Sequence, residues 1–527
     1  MAANVLIIAA YALVCHGVML LNDGVLWDGW LLDSWQRNRN WPVMRRFYAE
    51  VGLAPFYYLH KFLSGVPARI FVYRLITFAS TLASALAVYF LGLHGGILGE
   101  FNSLLLALLY LSYTGYHMNV DTVVGLQYTL PTAFFYWAAY LALVSADHTG
   151  FAHAAPRIAA LVLFFAAFNA NSILVYYFGF LALKFLSGWD RADDAGTNLY
   201  RLLIGHVDFV LLPFAYWFLK NRLTPRHGHY EQYNRIQPHP LRLVWKLIGA
   251  IRYGLEAPIS APVRSAAAGQ YLWVPLLAFA VTLGLYTSHP FALMALPTAS
   301  LLTAGSVLFL LAALPYALVG QSFFPEGWGT KHHMLFHLPV SMILLAALAW
   351  LPPALTLATL AFVLVCNAIR LNLVSLHHLA VSVKNWSWLR KLARAPGARD
   401  TSIFLVADCN SIRGDPSNHD QEHRTAYLFH MLEWAWGDKT RCGIPVAPNL
   451  AERLAKDRVS QEIVRSTIDY DMQQVHADGR QAKVTIADGI DRSASHVALL
   501  YLRHRYLRGG NIEALLESVT EINFVEL

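Results

Sequence analysis

Three aspartates follow the first apolar stretch of the chain at five-residue intervals: Asp23, Asp28 and Asp33, in LNDGVLWDGWLLDSWQRN. A carboxylate held at a water–lipid boundary beside tryptophans can act as a general base or bind a cation. Read plainly, three acids in a polar loop are solvated surface. A second constellation is GQSFFPEGWGTKHHMLFHLP (320–339), where Lys331, His332 and His333 open an apolar segment after a turn containing Gly and Pro. Fixed cations at such an entrance suit a phosphate or pyrophosphate at the interface, although a snorkelling lysine and loop-packed histidines would look the same. A third is LKNRLTPRHGHYEQYNRIQPHP (219–240), with Arg222, Arg226, His227, Tyr230, Tyr233, Asn234 and Arg235. Rings between basic groups suit a sugar stacked beside a phosphate; a basic amphipathic segment lying on a membrane has the same composition. Asp121, in YHMNVDTVV, opens a further apolar segment, as a helix cap or as a catalytic acid.

Other patterns fall short. His333 and His337 have the i, i+4 spacing of zinc ligands but no acidic partner nearby. HDQEH (419–423) does not have the spacing of a zinc-protease helix, and NWS (385–387) is a sequon of a kind common by chance. Walker, GxGxxG and GxSxG patterns are absent, which removes the main support for ATP-driven, dinucleotide-dependent and serine-hydrolase chemistry. No motif demands a cofactor, and a divalent cation beside the aspartates is the one such group the acids would suit.

The elements that must carry these residues are set by composition. Of 527 residues, 56% are apolar and 14% charged, against roughly 25% charged in an average soluble chain. This excludes a soluble multidomain enzyme, a disulfide scaffold and a disordered protein, and predicts a polytopic α-helical membrane protein. The net charge of +7 comes from dispersed basic residues and points to membrane surface or phosphate, with no nucleic-acid partner. Of four cysteines, Cys15 and Cys366 lie in apolar segments, while Cys409 and Cys442 would pair only in an oxidising compartment.

About eleven spans are expected, near 3–21, 68–93, 101–117, 122–145, 156–171, 172–187, 201–220, 270–288, 298–319, 334–350 and 353–376. The first has no basic flank and reads as a retained span rather than a cleaved signal. Asn169, Asn171 and Ser172 break the fifth from the sixth and should face the protein interior. Residues 22–67 and 221–268 read as amphipathic interfacial loops within a membrane domain of residues 1–379. Residues 380–527 have the composition of a soluble α/β or α+β domain, with strands at 401–409 and 481–489 and helices at 424–437, 447–456 and 493–507. With eleven spans every polar cluster and the terminal domain share one face. The excess of Lys and Arg on that face would make it cytoplasmic by the positive-inside rule, unless those cations serve anionic ligands.

A first span, an acidic motif, amphipathic helices, many further spans and a terminal soluble domain together resemble the GT-C integral-membrane glycosyltransferases of bacterial type. The likeness rests on WDGW (27–30), EVGLAPFYYLH (50–60), FNANSILVYYFG (168–179), PRHGHYEQYNRI (225–236) and GWGTKHHMLFHLP (327–339). It covers most of residues 1–376. The second acid of the family's Asp–Asp motif is Gly29 here, so Asp28 is the matching acid.

The resemblance implies a polyprenyl-phosphate-sugar donor, a glycan, lipid or protein acceptor, membrane-lipid partners, and an active site and C-terminal domain on the outer face of a bacterial inner membrane. It implies Asp28 as base, Lys331, His332, His333, Arg222 and Arg226 at the donor phosphate and lipid, and Asp23, Glu50, Asp121, His227, Tyr230, Tyr233 and Asn234 at substrate. The main rival is a transporter or flippase of a lipid-linked or anionic solute, favoured by the broken 156–187 pair.

Overall fold

The computed structural model describes all residues except 97, 122, 146–149, 188–193, 229–230, 232–234, 237–238, 289–296, 409–424, 466–473 and 508–509. The chain is a helical membrane protein that ends in a small sheet-containing domain. Every expected apolar segment contains a helix, but the helices differ from the expected spans in length. Among the described residues four are long and apolar enough to cross a bilayer: Ala2–Leu21 (α1), Arg69–His94, Thr298–Leu318 and Pro353–Arg394. The count rises to seven if each of three bent pairs is one span, namely Gly196–Gly205 with Val207–Leu223, Pro240–Ala268 with Trp273–Ser288, and Gly327–His333 with His337–Leu348. Glu100–Leu111, Ala154–Ala167 and Ser172–Phe185 are apolar but shorter.

One local departure has an evident cause. The segment expected to run helically to 117 stops at Leu111. Beyond it the chain turns inward: Tyr113 donates its hydroxyl to the Gly254 carbonyl at 2.8 Å and Thr114 to that of Pro258 at 2.9 Å. These bonds satisfy polar groups that a longer helix would have left facing apolar neighbours. The break at 168–171 does face inward as expected. Asn171 Oδ1 accepts from Lys220 at 2.6 Å and Ser172 Oγ from Tyr316 at 3.0 Å.

The first loop folds into three short helices, Gly29–Arg37 (α2), Trp41–Val51 (α3) and Ala54–Ser64 (α4), ahead of Arg69–His94 (α5). Gly52 ends α3 in the left-handed conformation (φ 76°) that favours glycine at a helix C-terminus. A buried chain of polar contacts ties these helices together. Arg69 bridges Asp33 at 2.6 Å and Gln36 at 2.8 Å, Gln36 donates to the Tyr73 hydroxyl, and that hydroxyl meets His60 Nδ1 at 2.6 Å.

The helix Pro353–Arg394 has 42 residues and runs unbroken past residue 379 into the terminal domain. Strands Ile403–Asp408 (β1), Cys442–Pro445 (β2), Gln481–Asp488 (β3) and Thr520–Glu526 (β4) form one sheet in the order β2-β1-β3-β4. The first three are parallel, with Ile403 opposite both Cys442 and Gln481, and β4 is antiparallel to β3. With three parallel strands the domain is α/β, one of the two classes expected (α/β or α+β), and β2 and β4 are unanticipated. The expected helix 447–456 is instead an irregular stretch, with helix only from Lys456 to Arg465. Its backbone is claimed by a side chain: Leu454 N–H donates to Gln481 Oε1 at 2.9 Å and its carbonyl accepts from Nε2 at 2.7 Å. Cys442 is buried on β2, and Cys409 lies outside the described residues, as does HDQEH. Asn385 of the sequon is 3% exposed and accepts from Trp388 Nε1.

One core of the terminal domain is shared with the first loop. Val25 and Trp30 pack with Trp388, Leu389 and Leu392 of the long helix, with Phe404 and Val406 of β1, and with Leu428 and Met431. The loop, the end of the long helix and the domain therefore fold as one apolar unit.

Candidate functional site

Asp28 stands at the N-cap position of α2, where the helix dipole favours negative charge. The turn that delivers it is strained. Trp27 takes a left-handed φ of 43° although it is bulky, a conformation that costs about 1 kcal/mol or more and persists only when packing imposes it. Here the Trp27 ring lies between Trp328 (centroids 5.9 Å apart) and the edge of His378 (5.3 Å). Asp28 is half-buried, and its Oδ1 accepts a hydrogen bond from the Tyr427 hydroxyl at 2.9 Å.

A second carboxylate reaches the same turn from the loop before Leu126. Asp121 is 1% exposed, and its Oδ1 accepts from the backbone N–H groups of Val123 and Val124, each at 2.8 Å. Its other oxygen lies 2.8 Å from where a Cβ on Gly29 would be. The residue that departs from the Asp–Asp motif is thus a glycine whose missing side chain admits Asp121. Burial pushes the Asp121 carboxyl up to about 7; the two N–H bonds and Arg74 pull the other way, and the Asp28 charge adds to the rise. Arg74 is itself 1% exposed and clamps the loops through the carbonyls of Met19, Gly24 and Val120 at 3.0, 2.9 and 3.4 Å.

The basic turn is the third component. Lys331 Nζ lies 4.3 Å from the Trp328 ring centroid, a cation–π contact, and Trp328 meets Trp27. The turn is pinned to the Asp121 loop by His117, whose N–H donates to Thr330 Oγ1 at 3.0 Å and whose Nδ1 accepts from Gly327 N at 3.4 Å. Three loops far apart in sequence therefore converge, carrying Asp28, Asp121 and Lys331. His332 and His333 are built into the scaffold: His332 Nδ1 meets the Ser322 carbonyl and His333 Nδ1 that of Gly115, each at 2.7 Å. His333 also joins Phe323 and Phe336 in a three-ring cluster, each pair 5.3–5.7 Å apart between centroids. Lys246 adds a cation beside His332, through Ser322 Oγ at 2.5 Å.

The remaining expected residues form a separate group around the end of α3. Glu50 is 3% exposed and paired with Arg46 at 3.1 Å, and its carbonyl accepts from His227 N at 3.4 Å. A Cβ on Gly228 would lie 2.9 Å from the Glu50 carboxyl, and one on Gly52 3.3 Å from Arg226 Cγ. Glu50 thus anchors the 225–228 turn. Arg222 and His227 are exposed and Arg226 half-buried. Tyr230, Tyr233 and Asn234 lie outside the described residues.

The terminal domain contributes residues that sequence reasoning missed. Besides Tyr427, the helix Thr425–Trp436 presents Glu433, 3% exposed, which accepts from Ser34, Asn38 and His430. Burial pushes the Glu433 carboxyl up, but the bonds from His430 and Ser34 outweigh it and hold the group below its usual range. Asp23 accepts from the Tyr501 hydroxyl at 2.9 Å and pairs with Arg505 at 3.4 Å. The available signal was an apolar helix carrying His and Glu, because buried polar groups in such a helix require partners. Among the described residues no cluster of three or more metal-ligating side chains occurs. No family model, curated protein or solved structure matches the chain.

Chemically, the arrangement pairs a carboxylate at a helix N-terminus with a buried carboxyl of raised proton affinity. The Lys331 ammonium lies on Trp328, whose ring meets Trp27 next to Asp28. Such a set can accept a proton on one side and stabilise a departing anion on the other.

Proposed function

We propose that this protein is a membrane glycosyltransferase that moves a sugar from a polyprenyl-phosphate-linked donor to an extracytoplasmic acceptor. The observation that carries the reading is the convergence of Asp28 and Lys331 through the Trp27–Trp328 pair. In this scheme the acceptor hydroxyl loses its proton to Asp28 as its oxygen attacks C1 of the donor sugar. The C1–O bond to phosphate breaks, the electron pair leaves with the phosphate oxygen, and Lys331 stabilises that charge. Direct attack inverts the anomeric centre. Arg222 and Arg226, on the separate turn anchored by Glu50, would meet the donor's anionic group only where the donor extends to that turn. If the eleven spans expected from the sequence each cross the bilayer, these loops and the terminal domain share one face, which we read as extracytoplasmic.

The test is transfer of labelled sugar from polyprenyl-phosphate hexoses and pentoses to membrane-extract acceptors, with the protein in nanodiscs. Asp28→Asn is expected to abolish transfer without loss of folding, and Lys331→Ala to raise the KM for donor. Full transfer by Asp28→Asn would overturn the assignment.

A further inference from the structure

We propose that the cleft between the first loop and the terminal domain binds an acidic glycan. The inference deepens the transferase reading by naming the class of acceptor, and rests on that reading for the role but not for the binding. The cleft has a volume of about 770 Å³, in the upper range of cavities that hold small organic ligands. Its walls come from α2, the start of α5, the end of the long helix, and the helices Thr425–Trp436, Ala494–Tyr506 and Ile512–Val519. Asp28 does not line the cleft, but α2, which it caps, carries Trp30 and Asp33 on the cleft wall, so a ligand lying there contacts the helix next to the proposed base.

Two features define what fits. The first is aromatic. Trp434 sits edge-on to Trp30 at 6.4 Å, and Trp386 lies 5.6 Å from Tyr501. Trp386 and Trp434 are only half-buried, so part of each indole remains available for the C–H face of a pyranose. The second is charge. Five arginines line the cleft against three carboxylates, leaving a surplus of positive charge. Asp33 takes both Arg37 and Arg69, while Arg390 meets Glu513 and Arg505 meets Asp23. Arg37, Arg390 and Arg505 are 48, 35 and 50% exposed. Asp33 is 1% exposed and keeps its arginines, but the partners of Arg390 and Arg505 are themselves at least partly exposed. Ion pairs that exposed contribute little, so these two guanidinium groups can turn to a ligand carboxylate or phosphate and grip it with two hydrogen bonds. Indole faces together with surplus arginines match a sugar chain bearing anionic groups; a lipid headgroup would use the arginines and leave the aromatics idle.

The experiment is calorimetric titration of the full chain in phosphatidylcholine nanodiscs with a hyaluronan tetrasaccharide, with neutral chitotetraose of equal length, and with inorganic phosphate. The acidic tetrasaccharide is expected to saturate and to bind at least tenfold more tightly than chitotetraose. Trp434→Ala and Arg390→Ala should each weaken it at least fivefold, and Trp434→Phe should restore most of the loss. Absence of saturable binding, equal affinity for the neutral chain, phosphate binding as tight as the glycan's, or complete loss of glycan binding in phosphatidylglycerol nanodiscs would each overturn the proposal. Absence of sugar transfer by the parent protein, with saturable binding of the acidic chain retained, would sink the transferase reading and leave the cleft assignment standing.

Discussion

The Tyr427 hydroxyl donates to Asp28 Oδ1 across 2.9 Å, joining residues 399 positions apart in the chain. The terminal domain thereby touches the carboxylate that the first loop presents. A hydrogen bond to a charged acceptor contributes about 1.5–3 kcal/mol. Tyr427→Phe is therefore expected to lower the kcat for sugar transfer about tenfold or more with little change in donor KM. Unchanged kcat would show that the contact is incidental.

Gly29 leaves the space that the Asp121 carboxylate occupies. Gly29→Ala would put a methyl 2.8 Å from a carboxylate oxygen and is expected to cost about 1–3 kcal/mol by overpacking. The measurement is the thermal-unfolding midpoint in detergent for Gly29→Ala, Asp121→Ala and the double variant. The second substitution should relieve most of the first; simple additivity would locate the strain elsewhere.

Asp121 also sets a pH dependence. Burial raises its proton affinity to about 7, so it is mostly neutral at pH 6 and mostly ionised at pH 8. A raised carboxyl makes the folded state lose stability as pH rises from the unfolded carboxyl range up to about 7, after which the loss levels off. Ionised Asp121 also adds negative charge beside Asp28 and strengthens it as a base. Transfer is expected to rise through about pH 7 in the parent, and that limb should flatten in Asp121→Asn.

Lys384 tests the join between helix and sheet. It is 4% exposed and holds both oxygens of Asp408, at 2.7 and 2.8 Å, and Asp488 at 3.4 Å. Burial already pushes the Asp488 carboxyl up, while Lys384 pulls it down. Removing the ammonium strands two carboxylates, and because both keep some exposure the cost should fall near the lower end of the range for buried pairs, about 3 kcal/mol. Lys384→Met should lower the unfolding midpoint more at pH 8 than at pH 5, where the carboxyls begin to take protons. An equal loss at both would assign the effect to packing.

The helical class, the inward-facing break at 168–171 and the α/β character of the terminal domain were legible because each depends on local composition and period. Asp28 was legible for the same reason, as an acid beside tryptophans at the end of an apolar run. Its partners were not. Asp121 was one acid at the start of an apolar segment, and nothing local shows that Gly29 leaves it room. Tyr427 and Glu433 sat in a domain read only for its strands and helices. The helix expected at 447–456 failed because Gln481, on a distant strand, takes the backbone groups a helix would have used.

The unbroken helix Pro353–Arg394 has no hinge through which an error in register could be absorbed. An α-helix turns about 100° and rises about 1.5 Å per residue. One residue inserted upstream of Leu376 would swing the terminal domain through more than a quarter turn and carry Tyr427 away from Asp28. Seven inserted residues, close to two full turns, would restore the facing but lift the domain by about 10 Å. The chain length between the membrane and the sheet is therefore as constrained as any side chain at the site, and a gene fusion or deletion there succeeds or fails by counting residues.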